Sequence, residues 1–73
     1  MTKFFKANRA VVERLMLDKN ISTLRALADR AFITRRTLYN AFKEPGVSRL
    51  TITRLANALG VEATVLLAEN SDT

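Results

Sequence analysis

The chain has 73 residues, 48% of them hydrophobic, which is enough for one domain around one small core. It contains no cysteine and no histidine, which excludes disulfide staples, thiolate zinc sites, imidazole metal sites and histidine-based catalysis together. Lys and Arg number 12 against 7 Asp and Glu; residues 62–73 hold Glu62, Glu69 and Asp72 and no base, so the first 61 residues carry 12 − 4 = +8 of the net +5, a balance that suits a polyanionic partner, nucleic acid before an anionic membrane surface.

At about 100° per residue, Phe4, Phe5, Val11, Val12, Leu15 and Met16 share one face. This predicts an amphipathic first helix near residues 5–19, its stripe interrupted by Asn8 and its end marked by Asn20. Phe4 and Phe5 read as the contact of this helix with the core, or as a lipid or partner anchor. Ser22 and Thr23 are good N-caps for a second helix over 24–31, with Leu24, Leu27, Ala28 and Ala31 at helical spacing. Phe32 and Ile33 interrupt the pattern. Thr34 offers a cap for a third helix reaching Lys43, and Pro45 stops it. Residues 44–47 suit a type II turn, with Pro45 second and Gly46 third. Ser48 caps a fourth helix over about 50–59, whose inward arc is Ile52, Leu55, Ala56 and Leu59, and Gly60 ends it. A short fifth helix is expected near 62–68, where Val65, Leu66 and Leu67 are either core or a dimer seam. Residues 70–73 read as a disordered tail beyond a single domain of residues 1–69. No segment sustains strand alternation, so the fold class is all-α with four to five helices. No stretch matches a signal-peptide core or the roughly 20 apolar residues of a membrane span, so a cytoplasmic protein is expected.

The third helix has two faces. With Arg35 at 0°, Leu38, Ala41 and Phe42 lie between about 240° and 340°, and Tyr39, Lys43, Arg36 and Asn40 between about 40° and 140°. One face buries apolar side chains while the other presents cations and an amide. Arg pairs bidentately with guanine and Asn with adenine in the major groove, whose width admits a helix; Lys and Tyr reach phosphates. Two short helices separated by a three-residue break, with the small Ala28 in the first, form a helix-turn-helix spanning about 24–43.

Residues 23–67 resemble the lambda-repressor-like (Cro/CI, XRE) family. The marks are Leu27-Ala28, Ile33-Thr34, Leu38 and Leu55-Ala56-x-Ala58-Leu59-Gly60-Val61, in register without a gap. The resemblance implies that Arg35, Arg36 and Asn40 read bases in double-stranded DNA. It implies contacts to the DNA backbone from Thr23, Arg25, Thr34, Thr37, Tyr39, Lys43 and Arg49. It also implies a homodimer on a palindromic operator, a repressor's role, and a bacterial or phage-infected cell as the setting. Three positions depart from the family. Phe32 stands where glycine is usual, which predicts an altered turn with the ring over the core. Leu24 replaces a common Gln. Phe42 replaces an acidic residue that pairs with an Arg of the first helix, so packing against Leu15 or Val11 is expected in its place.

Among the seven carboxylates no convincing buried pair is visible, nor is a base-activated nucleophile, so neither an enzyme nor a cofactor or metal is expected. Two other readings belong to different classes. Small size and Tyr39 after Leu38 also resemble antitoxins of this fold, which neutralise a toxin partner and autoregulate their operon. A membrane-surface protein would use the same positive charge, but four inward-facing stripes favour a packed globule.

Overall fold

The structure, a computed structural model, describes residues 3–67. The first four helices each start on a side-chain oxygen that takes up backbone N–H groups the helix leaves free. The carboxamide oxygen of Asn8 accepts from Ala10 and Val11 (2.9 and 3.3 Å) at the start of α1, Arg9–Asp18. Thr23 accepts from Ala26 (3.1 Å) for α2, Leu24–Ala31. Thr34 accepts from Thr37 (3.1 Å) for α3, Arg35–Ala41. Ser48 accepts from Thr51 (3.4 Å) for α4, Arg49–Leu59. Each such cap is worth about 1 kcal/mol. Asn20 and Gly60 follow α1 and α4 in the left-handed region, at φ 58° and 73°, as helix ends commonly require. A fifth helix, α5, covers Ala63–Leu67. Among the described residues the fold is a small all-α domain of five helices, as the periodicity predicts.

Two boundaries differ from expectation. The first helix does not begin at residue 5: residues 3–8 lie outside any helix, and α1 starts only after Asn8. Asn8 does not interrupt a stripe; it is the cap. Phe5 pairs with Val47 in an isolated antiparallel bridge, donating to its carbonyl at 2.7 Å and accepting from its N–H at 2.8 Å. The N–H of Ala7 then bonds the Ala41 carbonyl (2.8 Å) and that of Asn8 the Leu66 carbonyl (2.9 Å). This segment therefore ties the end of α3, the loop before α4, and α5 together. Phe5 packs against the core from the bridge, not from a helix, and Phe4 is exposed. The third helix ends at Ala41 with Phe42 as its C-cap, so Lys43 lies beyond it. Gly46, at φ 103°, lies against the Phe5 backbone, where a Cβ would collide with the Phe5 carbonyl oxygen.

One hydrophobic cluster runs through all five helices, with Val12, Leu27, Leu38, Ile52, Leu55, Leu59 and Leu66 fully buried. No polar or charged residue among those described is buried, so the core carries no unpaired polar group to offset its hydrophobic gain. α2 packs mainly on α4 and also on α3, while α5 closes against α4 and α1. Leu66 belongs to this core at 0% exposure. It is therefore unavailable to a dimer seam; Val65 is exposed and Leu67 half-buried. The expected tail over 70–73 and the last residue of the expected fifth helix lie outside the described residues. Among those described, no helix is long and apolar enough to cross a membrane.

Candidate nucleic-acid interface

The turn between α2 and α3 consists of Phe32, Ile33 and Thr34. Phe32 caps α2 in the left-handed region (φ 60°, ψ 42°), and the Ile33 N–H returns to the Ala28 carbonyl at 3.0 Å. The backbone thus adopts the conformation that glycine would provide, despite a β-carbon. The expected altered turn does not form. The Phe32 ring does not cover the core either: it is 82% exposed, and the half-buried Ile33 packs there instead. A guanidinium N–H of Arg54, on α4, donates to the Phe32 carbonyl at 3.2 Å. Arg54 therefore fastens the turn to the helix beneath it.

α3 is held from three sides. Leu38 and Ala41 are fully buried. Phe42 is half-buried against the core, and the Arg9 guanidinium lies over its ring, 5.3 Å from the centroid. Arg9 also pairs with Glu13 at 3.0 Å. The remaining face is open: Arg35, Arg36, Tyr39 and Asn40 are exposed on it, and Lys43 follows at its end, its N–H on the Asn40 carbonyl at 3.3 Å. Thr37 is half-buried, and its hydroxyl accepts from that of Thr34 at 2.9 Å. Thr34 is thus engaged twice by its own helix start. Thr23 and Arg25 are exposed where α2 begins, with the Thr23 hydroxyl committed to its cap.

Arg49 has other neighbours. It opens α4 and lines a cavity of about 190 Å³ with Phe5, Ile52, Ala63, Thr64 and Leu67, between α4, α5 and the N-terminal segment. The structure therefore groups Arg35, Arg36, Tyr39 and Asn40 on one face and sets Arg49 against α5. Sequence reasoning missed the Arg9–Phe42 contact and the Arg54 bond. The first had a signal, since Phe42 was expected to pack on the first helix at Leu15 or Val11; the second, a side chain on a backbone carbonyl 22 residues away, had none.

From Arg30 to Lys43 the chain carries four cations and no carboxylate. The ion pairs among the described residues are Arg9–Glu13 and Lys6–Glu44, so Arg35, Arg36 and Lys43 have no acidic partner there. This leaves a seven-residue helix whose outward face is positive, rich in donors and not internally neutralised. Such a face can donate to phosphate oxygens and to the acceptors on base edges. No family model, curated protein or solved structure matches the chain.

Proposed function

We propose that this protein is a sequence-specific double-stranded DNA-binding regulator of the lambda-repressor-like kind, with α3 entering the major groove. The observation that carries this reading is the division of α3: Leu38 and Ala41 are sealed in the core while Arg35, Arg36 and Asn40 stand exposed with no carboxylate beside them. In this role Arg35, Arg36 and Asn40 read base edges. Tyr39, Lys43 and Arg25 contact the phosphate backbone, with the Thr37 hydroxyl beside them; Thr23 and Thr34 act first as caps that fix the helix starts. Arg49 contributes as a more distant backbone contact. The reading is one of binding, with no cofactor and no turnover.

Two-fold operators call for two-fold proteins, and the exposed Val65 beside the half-buried Leu67 supports a homodimer seam on α5 that leaves Leu66 in the core. The recognition helices of such a dimer stand about 34–36 Å apart, one turn of the duplex. Repression follows where the operator overlaps a promoter, in the cytoplasm of a bacterial or phage-infected cell. A gel-shift competition between operator and scrambled duplexes tests the reading: Arg36→Ala and Asn40→Ala lose selectivity if α3 is the reader, and selectivity unchanged in both would rule α3 out.

A further inference from the structure

Phe32 and Leu50 are large apolar side chains, 82% and 60% exposed. They belong to different elements, the α2–α3 turn and the first turn of α4, yet Arg54 joins them. Leu50 and Arg54 are four residues apart on α4, hence on the same face. Helical side chains lean toward the N-terminus, so the Arg54 stem lies over the turn that carries Leu50, while its guanidinium reaches the Phe32 carbonyl at 3.2 Å. The result is a surface with an apolar group at either end and a guanidinium between them.

Charge selects the occupant. A guanidinium has five N–H donors in a planar fork, and the bond to Phe32 uses one side of it. Among the described residues Arg54 makes no ion pair, and neither does Arg30, two residues before Phe32. Asp29, the acidic residue adjacent in sequence, pairs with neither. Phe32 also holds a left-handed conformation that disfavours a β-carbon, and its ring returns no burial for it. We propose that Phe32, Arg54 and Leu50 form a docking site for an acidic protein segment that carries an apolar side chain: its carboxylates meet Arg54 and Arg30, and its apolar group covers Phe32 and Leu50. Duplex DNA also matches the cations, but the apolar group on its base edges is the thymine methyl inside the major groove, so a peptide side chain suits two exposed hydrocarbon groups better. Phe32 stands in the turn before α3, and Leu50 and Arg54 on α4, so none of the three belongs to the helix proposed to read DNA.

An NMR titration of the isotope-labelled full chain with the synthetic peptide Glu-Leu-Asp-Phe-Asp-Leu-Glu tests this. Saturable shifts are expected at Phe32, Leu50 and Arg54. Affinity is expected to fall at least about tenfold in Phe32→Gly and in Leu50→Ser, both changes of exposed side chains that leave the helical circular dichroism intact. The same peptide with Lys in place of its acidic residues is expected not to bind. The proposal is overturned by absent shifts, by equal binding of the Lys peptide, or by undiminished affinity in both variants. It is also overturned if protein concentration alone moves the same signals, which would assign the surface to a second copy, or if duplex DNA moves them in place of the peptide.

Discussion

The guanidinium of Arg9, at the start of α1, sits over the ring of Phe42, at the end of α3, 5.3 Å from its centroid. The contact is a cation–π pair that ties the end of the proposed reading helix to α1. At a partly exposed site such a pair is worth about 0.5–1 kcal/mol. A double-mutant cycle with Arg9→Met and Phe42→Leu, read by urea denaturation, is expected to return a coupling of that size. Since Arg9 also pairs with Glu13, the single Arg9 variant alone overstates the contact. Zero coupling would mean that Phe42 holds the end of α3 by its packing against the core alone.

Phe32 is strained without being packed. Replacing it with glycine removes the β-carbon penalty, which is about 1–2 kcal/mol for a left-handed residue, at no loss of core. The Phe32→Gly variant is expected to be more stable by about 1 kcal/mol, raising Tm by about 4–8 °C for a domain this small. A lowered Tm would show that the ring contributes packing.

Leu66 and Val65 are neighbours with opposite fates. Leu66→Ala empties a fully buried position and is expected to destabilise the monomer by about 2–5 kcal/mol, enough to unfold much of it. Val65→Ala changes an exposed side chain and is expected to stay within about 0.5 kcal/mol in the monomer while weakening any dimer. Thermal melts for the first effect and sedimentation equilibrium for the second separate core from seam.

The two short helices α2 and α3 and the break between them were legible because their signals are local. Thr23, Thr34 and Ser48 announce their helices through a short side-chain oxygen, Gly60 ends one, and Leu27, Ala28, Leu38 and Ala41 repeat with the helical period. The N-terminal segment was misread because its partners are distant: Phe4 and Phe5 fit a helical stripe, but the bridge from Phe5 to Val47 and the bond from Ala7 to Ala41 depend on how the chain returns. Asn8, three residues before Val11, was the available sign of a cap. α3 ends at Ala41, where the N–H groups of Phe42 and Lys43 turn to the Tyr39 and Asn40 carbonyls three residues back; Pro45, the visible stop, comes later. In α5 an apolar run hides which residue points inward, and the answer comes from α1 and α4 closing over Leu66. The open face of α3 was visible from the wheel, whereas its supports, Arg9 on Phe42 and Arg54 on the turn, are tertiary.

The exposed face of α3 is proposed to read DNA sequence. Selection of bound duplexes from a random pool tests it most directly, with the unaltered chain, Arg36→Ala and Asn40→Ala run side by side. A two-fold motif is expected to be enriched, with half-sites one helical turn apart, at about 10–10.5 base pairs centre to centre, and preference is expected to be lost at the positions each variant no longer reads. Failure to enrich any sequence, or an enriched motif identical in all three proteins, would contradict it.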